Sequence, residues 1–401
     1  MRRIVIVGGG QSGAFAASAL RAEGFDGVLS LVCEEHFEPY ERPPLSKAFL
    51  TGTIDTSALH VLPASFWIDH DVQLEIGKRA TRILAGDGVV VGDELLRADG
   101  VILCTGATAR RLSVPGAGLR GVHVLRTIEH ASALRGDLIS GSRLVVVGGG
   151  LIGSEVASTA AAMGVEVTVL DIASVPLARV VGEVVGRRLT DEAARNGIVS
   201  RQGSVERILG DRDVVGVLLH DGTVLDADVV VVGVGAEPCV DVAASSGIVI
   251  SNGIVCDVDG RSSLANVTVA GDVANVSHGP AGRRSEHWKS AIEQGGRAAR
   301  ALLGIPNPPV EPSWFWSEQH GHRVEVAGEL SAGRLVVRGD PESGDYSVWH
   351  LNSDSELTGA VGFNRSRDVR NAIKILANGG NRMRPMMLED DDTPILEAVE
   401  S

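Results

Sequence analysis

Short apolar runs alternate with helix-forming stretches along the first two thirds of the chain. Residues 4–7 are Ile-Val-Ile-Val and residues 144–147 are Leu-Val-Val-Val, and both runs predict buried strands. Each run leads into a glycine-rich turn and then into a helix-forming stretch, as at the start of a parallel βαβ unit. Second strands are predicted at 28–33 and 166–170. The pattern therefore predicts two separate α/β units with parallel sheets.

Both glycine turns have the spacing Gly-x-Gly-x-x-Gly. Its glycines are Gly8, Gly10 and Gly13 in the first turn and Gly148, Gly150 and Gly153 in the second. The first glycine permits the tight turn, the second lets a pyrophosphate approach the backbone, and the third lets helix pack on strand. The free N–H groups of the helix N-terminus then face the phosphates. One such turn is a weak signal, but two predict one fold for a flavin and one for its nicotinamide reductant.

An acidic residue follows the second strand of each unit, where a carboxylate can hydrogen-bond the adenosine ribose. In the first unit it is Glu34, for which a solvated strand-end carboxylate is the alternative. In the second unit it is Asp171, which favours a free 2′-hydroxyl. No arginine that could take a 2′-phosphate lies between 172 and 178; the next is Arg179. The sequence therefore predicts NADH rather than NADPH.

Several other residues follow turns where a backbone can approach a cofactor. Lys47 follows a two-proline turn, with Ser46 a predicted helix N-cap, and its cation could stabilise the charge of a reduced flavin. Thr105 and Gly106 leave a buried strand, and Asp272 ends another. The alternative for Lys47 is a solvated surface charge. For Thr105 and Gly106 it is an ordinary strand exit, and for Asp272 it is an Asx turn. The remaining positions of this kind are Gly235, in a glycine-rich strand exit, and residues 286–295, which open a helix whose N-terminus could face the flavin.

Composition narrows the class of protein. The formal net charge of -14 argues against nucleic acid as the main partner. No apolar run reaches the roughly 18 residues of a membrane span, and residues 4–7 are too short for a signal sequence, so we expect a cytoplasmic protein. Its cysteines are far apart and are expected to be small core residues: Cys33, Cys104, Cys239 and Cys256. Without a Cys-x-x-Cys motif, the sequence supports neither a redox disulfide nor a metal site.

The last quarter of the chain has a different pattern. A proline-rich boundary at 307–312 precedes Trp314-Phe315-Trp316-Ser317, in a chain with only 3% aromatic residues. Trp316 is predicted either to lie against the flavin or to pack in the core. The alternation that follows predicts a small α+β domain ending in a helix. Residues 390–392, three aspartates, are predicted to form a solvated turn.

Taken in order, these motifs resemble the FAD-dependent NADH:ferredoxin reductases that serve bacterial cytochrome P450 and Rieske-type oxygenases. The resemblance covers essentially the whole chain. Its most specific parts are Arg-Pro-Pro-Leu-Ser-Lys at 42–47 and Trp-Phe-Trp-Ser at 314–317. The other matching stretches are the two glycine turns, 105–107, 125–127 and 271–272.

The resemblance implies a glutathione-reductase-like fold with two Rossmann-like dinucleotide-binding domains and a small α+β C-terminal domain. The implied division is an FAD domain at 1–110 and 237–312, an NADH domain at 111–236, and a C-terminal domain at 313–401 that covers the flavin. Implied catalytic residues are Lys47, beside the flavin and paired with Glu155, and Trp316, by the isoalloxazine. Motifs and resemblance together predict FAD contacts from Gly8, Gly10, Gly13, Glu34, Arg42, Lys47, Thr105, Gly106, Arg126, Asp272 and Trp288. They predict NAD contacts from Gly148, Gly150, Gly153, Asp171 and Gly235.

The implied reaction is hydride transfer from NADH to FAD, followed by single-electron transfers to a [2Fe–2S] ferredoxin. The missing cysteine pairs argue against disulfide reductase chemistry. A rubredoxin reductase or diaphorase stays open, as does a redox-regulated interaction module like the apoptosis-inducing-factor relatives. The sequence departs from the family pattern in three places: His130 replaces Asp, Glu237-Pro238-Cys239 replaces an apolar residue, Pro and Asn, and Asp171 replaces the commoner Glu.

An acidic ferredoxin needs a local basic patch on a chain that is itself acidic. Residues 365–384 carry six basic side chains and one acidic one, which makes this stretch a candidate. A solvated helix face is the alternative for each arginine. The predicted docking residues are Arg283, Arg284, Arg365, Arg367 and Arg370.

Overall fold

The computed structural model describes residues 1–276, 282 and 284–400. The chain divides into two compact units, each built from three segments. The first comprises Met1–Pro43, Asp55–Thr108 and Ala236–Pro309, and the second comprises Pro44–Ile54, Ala109–Gly235 and Val310–Ser401. The three domains predicted from the sequence stay a prediction.

The first unit is centred on a five-stranded parallel sheet. In spatial order its strands are Val267–Val269, Gly100–Leu103, Arg3–Val7, Val28–Cys33 and Val72–Ile76. Ile4 and Ile6 pack into the core on one face, with the helices Gln11–Ala22 and Trp288–Leu303, while Val5 and Val7 pack into the core on the other. Burial on both faces explains the continuous apolar run of the central strand.

Smaller elements complete the first unit. The remaining strands are Ala80–Leu84, Gly88–Val91, Glu94–Arg97, Ala236–Pro238, Ile254–Cys256 and Ala274–Val276. Its short helices are Thr56–Leu59, Phe66–Asp69 and Asp241–Ala244. The strand Ala107–Ala109 and the 3₁₀ helix Pro43–Ser46 lie where the chain passes from one unit to the other.

The second unit contains another five-stranded parallel sheet. Its strands, in spatial order, are Val199–Gln202, Glu166–Asp171, Arg143–Val147, Val229–Val232 and Val122–Val124. Its helices are Ile128–Asp137, Leu151–Ala162 and Ala178–Arg195, the last interrupted at Gly182. A three-stranded antiparallel sheet is formed by Val205–Gly210, Val214–Leu219 and Val224–Asp226.

The C-terminal part of the second unit is a five-stranded antiparallel sheet followed by helices, which agrees with the α+β character predicted for this part of the chain. The strands, in spatial order, are Trp314–Gln319, His322–Gly328, Leu357–Phe363, Asp345–Leu351 and Arg334–Asp340. The helices are Ser366–Ala377, Pro385–Glu389 and the 3₁₀ helix Ile395–Ala398. Trp349, Tyr346 and Phe363 are fully buried in this part.

The predicted solvated turn at 390–392 is confirmed, since all three aspartates are exposed. Buried Arg338 also donates to the carbonyls of Asp390 and Asp391. Two other local predictions are wrong. Ser46 is the last residue of the 3₁₀ helix Pro43–Ser46, so it caps no helix N-terminus, and its hydroxyl donates to a carboxylate instead. Cys239 is half-buried rather than a core residue, unlike the other three cysteines.

None of the helices in the described part of the chain is both long and apolar enough to cross a membrane.

Candidate functional site

In the first glycine turn, the surrounding protein leaves no room for a side chain at Gly8 or Gly13 but does leave room at Gly10. A side chain at Gly8, whose φ is +114°, would place Cβ 2.1 Å from the carbonyl oxygen of Cys104. At Gly13 it would lie 2.0 Å from the carbonyl oxygen of Gly8. Gly10 has an ordinary extended backbone (φ -89°, ψ -170°), and among the described residues no atom beyond its own neighbours in the chain lies within 4 Å of its ideal Cβ position. Its missing side chain therefore leaves an open space above the turn.

The second turn repeats this arrangement. Cβ positions at Gly148 and Gly153 would lie 2.4 Å and 2.0 Å from backbone carbonyl oxygens. Gly150 is extended (φ -73°, ψ -176°), and the nearest protein atom to its Cβ position is 3.9 Å away. The helices that start at Gln11 and Leu151 have no side-chain cap. Each turn thus offers an open cradle beside an uncapped helix N-terminus, which fits the pyrophosphate of a dinucleotide.

The two acidic residues after the second strands differ in their surroundings. Glu34 is exposed, and its carboxylate lies 3.2 Å from Arg79 Nη1, an ion pair of little energetic weight. Asp171 accepts the backbone N–H of Gly149 at 2.6 Å and that of Ala173 at 2.7 Å. The Asp171 side chain, which is shorter than the Glu that is commoner at this position, reaches back to the glycine turn and fixes its shape. The ribose contacts of both residues stay predictions.

Thr105 and Gly106 bind the backbone of the segment that departs from the family pattern. The Thr105 hydroxyl donates to the carbonyl of Cys239 at 2.6 Å, and the Cys239 N–H donates to the carbonyl of Gly106 at 2.9 Å. Gly106 has a φ of +68°, which favours glycine. These bonds use only the backbone of Cys239, so the connection tolerates the exchange of Asn for Cys.

The remaining predicted flavin contacts of the first unit are Arg42, Asp272 and Trp288. Each has charged or titratable side chains as neighbours. Arg42 lies 2.7 Å from Glu35 Oε1 and stacks over the ring of Tyr40. The helix that opens at Trp288 has no side-chain cap. Burial lowers the pKa of His287, the residue before it, although the negative charge of Asp272 opposes that shift. A neutral imidazole at His287 adds no positive charge to this helix terminus.

Arg126 and Gly235 belong to the second unit. Arg126 is half-buried, just before the helix Ile128–Asp137. The carbonyl of Gly235 accepts the N–H of Arg110 at 3.0 Å, and its φ is +104°. In the described part of the chain, no atom beyond the neighbouring residues lies within 4 Å of the Cβ position of Gly235, so this turn is open as well.

The structure brings Lys47 and Glu155 together in the second unit, as the resemblance implies. Lys47 Nζ lies 2.5 Å from Glu155 Oε2, and Glu155 is only 5% exposed. Ser46 Oγ donates to the same carboxylate oxygen at 2.6 Å, and Ser317 Oγ donates to Oε1 at 2.8 Å. A buried carboxylate is tolerated only when it is paired and hydrogen-bonded, and here all three donors satisfy it. We call Ser46, Lys47, Glu155 and Ser317 the Glu155 cluster.

The two serines of the Glu155 cluster were not predicted as site residues from the sequence. Both stand inside the two most specific motifs, one directly before Lys47 and one directly after Trp316. That adjacency was the available signal. Because Ser46 and Ser317 lie 109 and 162 positions from Glu155, only the folded chain shows the carboxylate that they share.

Trp316 is half-buried and packs within the second unit. Its ring stacks on Trp314, with centroids 5.3 Å apart and planes at 25°, and the guanidinium of Arg323 lies over it. These contacts hold the indole in one orientation. They are compatible with core packing and with contact to a flavin, so the catalytic role of Trp316 stays a prediction.

Buried thiols in this chain are unreactive. Burial raises the pKa of Cys33, Cys104 and Cys256 to about 12 each. Since the thiolate is the nucleophilic form, these groups stay protonated and inert at neutral pH.

The predicted docking arginines differ in exposure. Arg283 lies outside the described residues. Arg284 is mostly buried, 2.7 Å from Glu286, and donates to the carbonyl of Asp272. Arg365 lies 2.5 Å from Asp345 and 2.7 Å from Asp391, and the hydrogen bond to Asp391 raises its pKa further. Arg367 and Arg370 are exposed on the helix Ser366–Ala377.

Comparison with known proteins places these features in a family. Residues 2–295 match the family Pyridine nucleotide-disulphide oxidoreductase, and residues 314–399 match the family Reductase C-terminal. Rhodocoxin reductase of Rhodococcus erythropolis is 39% identical over 93% of this chain and 89% of its own. The ferredoxin–NAD(+) reductase component of the Paraburkholderia xenovorans biphenyl dioxygenase system is 35% identical over 93% and 92%.

Similarity in structure is equally extensive. The crystal structure of the covalent putidaredoxin reductase–putidaredoxin complex matches with a TM-score of 0.94 and 31% identity, over 99% of this chain and 98% of the other. The fold and the matching families define a pyridine-nucleotide-dependent flavoprotein oxidoreductase that uses FAD and NAD(H). The chain belongs to the pyridine nucleotide-disulphide oxidoreductases, and within them to the ferredoxin–NAD(+) reductases of oxygenase systems. The family, fold class and cofactors predicted from the sequence are confirmed.

Proposed function

We propose that this enzyme takes electrons from NADH and delivers them singly to a [2Fe–2S] ferredoxin that supplies a cytochrome P450 or Rieske-type oxygenase. The observation that carries the proposal is the pair of open glycine turns, in which Gly10 and Gly150 are required by no protein contact. Ferredoxin is the partner named for several relatives, and putidaredoxin is the partner in the matching complex. The three buried thiols, Cys33, Cys104 and Cys256, are unsuited to disulfide exchange, which supports electron transfer as the chemistry of the chain.

Two sets of residues would hold the nucleotides. FAD would lie on the first turn, held by Glu34, Arg42, Thr105, Gly106, Arg126, Asp272 and Trp288. NADH would lie on the second turn, held by Asp171 and Gly235. When bound, FAD supplies the conversion between two-electron and one-electron chemistry. The chain would hold and orient both nucleotides.

The Glu155 cluster supplies a fixed positive charge for this chemistry. Lys47 pairs with a carboxylate that the hydroxyls of Ser46 and Ser317 hold in place. A preorganised ammonium stabilises negative charge that develops nearby, because it needs no reorganisation when the charge appears. We assign this electrostatic role to Lys47, and we assign orientation of Lys47 to Glu155.

A panel of electron acceptors tests the proposal. Mixed anaerobically with NADH, the yellow protein is expected to bleach and then to reduce a [2Fe–2S] ferredoxin at least about tenfold faster than rubredoxin. Stopped-flow absorbance measures both steps. Faster turnover with rubredoxin, or with dyes alone, would replace the ferredoxin proposal by the rubredoxin reductase or diaphorase alternative. A long-lived complex of NAD with reduced flavin, with redox-dependent oligomerisation, would favour an interaction module.

The exposed face of the helix Ser366–Ala377 is the proposed ferredoxin contact. Arg367, Arg370 and Lys374 follow one another at intervals of three and four residues, which places them on one side of the helix, and all are exposed. The charge of Arg365, in contrast, is compensated by neighbouring aspartates. The proposed contact therefore consists of Arg367, Arg370 and Lys374, and it is smaller than the basic stretch 365–384 indicated by the sequence.

Charge reversal tests this contact. R367E/R370E is expected to lower kcat/KM for an acidic ferredoxin roughly tenfold at low salt and to flatten its salt dependence. Reduction of the flavin by NADH should not change. R82E, a reversal of another exposed arginine, is the matched control. An unaltered salt dependence in R367E/R370E would place the ferredoxin elsewhere.

A further inference from the structure

The two serines of the Glu155 cluster are buried and have defined hydrogen-bond directions. Ser46 and Ser317 are each 1% exposed. Lys47 Nζ lies 3.3 Å from Ser46 Oγ, and an ammonium can only donate, so Ser46 accepts from Lys47 and its own proton points to Glu155 Oε2. Gln319 Nε2 donates to Ser317 Oγ at 3.4 Å, so the Ser317 proton points to Glu155 Oε1. Each carboxylate oxygen thus receives one oriented hydroxyl.

The helix that carries Glu155 also anchors both serine-bearing segments. Thr159, one turn further along this helix, donates its hydroxyl to the carbonyl of Ser46 at 2.7 Å. Ser158 accepts the N–H of His320, three residues after Ser317, at 2.8 Å. The positions of the two hydroxyls relative to Glu155 are therefore set by bonds outside the carboxylate itself. Such an arrangement resists rotation of the Glu155 side chain.

We infer that Ser46 and Ser317 are positioning residues that clamp the Glu155 carboxylate and, through it, fix the location of the Lys47 ammonium. The expected effect on flavin reduction rests on the proposed function, whereas the clamping of Glu155 does not. Removing Ser317 takes away the hydroxyl donor to Oε1, and removing Ser46 leaves Oε2 with Lys47 as its donor, so in either variant Glu155 can rotate. Lys47 then follows its counter-ion away from the position that stabilises the developing charge.

A matched control exists in the same unit. Ser347 is 0% exposed, donates to the buried carboxylate of Asp368 at 2.7 Å, and accepts from Trp349 Nε1 at 2.9 Å. It repeats the chemistry of Ser317, including a donor two residues further on, but its carboxylate pairs with arginines and not with Lys47. S347A should therefore cause a similar loss of thermal stability without affecting Lys47.

The first test observes Lys47 directly and needs no turnover. The chain has four lysines, Lys47, Lys78, Lys289 and Lys374, so ¹⁵N-lysine labelling yields a simple spectrum in which K47R identifies one signal. S46A and S317A are expected to shift or broaden the Lys47 ammonium signal, and S347A to leave it in place. An unmoved Lys47 signal in both S46A and S317A would overturn the clamp.

The second test is kinetic and separates positioning from general damage. S317A is expected to lower the limiting rate of flavin reduction roughly tenfold, with the NADH concentration at half-saturation unchanged. Because the serine acts through Glu155, adding S317A to E155Q should change the rate no further. A full additional loss in the double variant would contradict the inference. If E155Q alone reduces its flavin at the wild-type rate, the proposed role of Glu155 fails, while the lysine spectrum still decides the clamp.

Discussion

The G150A variant is expected to fold and to bind FAD, but to lose reduction by NADH. The backbone at Gly150 is extended, and no protein atom lies within 3.9 Å of the Cβ position, so the protein itself accepts alanine. The cost is limited to the weaker N-cap, about 1 kcal/mol, which lowers Tm by no more than about 4 °C. A methyl group nevertheless fills the space into which the pyrophosphate would fit.

The expected loss of NADH affinity is large. Displacing the pyrophosphate from two backbone N–H groups removes charge-assisted hydrogen bonds of roughly 1.5 kcal/mol each, which corresponds to roughly a hundredfold in affinity. Anaerobic titration with NADH, followed by flavin absorbance, measures this effect. G136A provides the control, since it adds the same methyl group to a helix of the same unit where no atom lies within 4 Å. Wild-type affinity in G150A would mean that the second turn does not hold the pyrophosphate.

The K47M variant is expected to be both slower and less stable than the wild type. Methionine removes Lys47 as the cation partner of Glu155, and a carboxylate that is 5% exposed loses that counter-charge. Breaking a buried ion pair from one side costs about 3 kcal/mol in free energy of unfolding. The two serine hydroxyls remain, so the cost should not exceed that value. The rate of flavin reduction should fall at least about tenfold with the loss of the ammonium.

Two further variants show whether the instability comes from the uncompensated charge. K47M/E155Q should regain most of the lost stability, because the amide has no charge to bury, but should remain slow. K78M removes an exposed ion pair, Lys78 with Glu75 at 2.6 Å, and should change the free energy of unfolding by less than about 1 kcal/mol. Urea unfolding curves for the four proteins provide the measurement. Equal losses in K47M and K78M would show that burial of the Glu155 cluster contributes little.

Much of the fold follows from local patterns. The strands Arg3–Val7 and Arg143–Val147 are apolar on both faces, which only a covered parallel sheet explains, and the glycine spacing after each selects the strand-to-helix turn. The predicted strand at 28–33 matches Val28–Cys33. Such predictions succeed because strand periodicity and glycine geometry act over a few residues. Lys47 and Glu155 were paired by resemblance to a family, and no local property of either residue indicates the other.

What the amino-acid order determined by itself is the presence of two glycine turns after buried strands, an acidic residue after the next strand of each unit, and an α+β C-terminal part. Only the tertiary structure decided which charged side chains are buried, which are held in ion pairs and which are exposed. It buried Glu155 against two serines more than a hundred positions away, and it surrounded Arg365 with Asp345 and Asp391. The physical reason is that the charge and hydrogen-bond state of a side chain depend on its neighbours in space. A net count of basic residues along 365–384 cannot separate an arginine held in ion pairs from one exposed on a helix face.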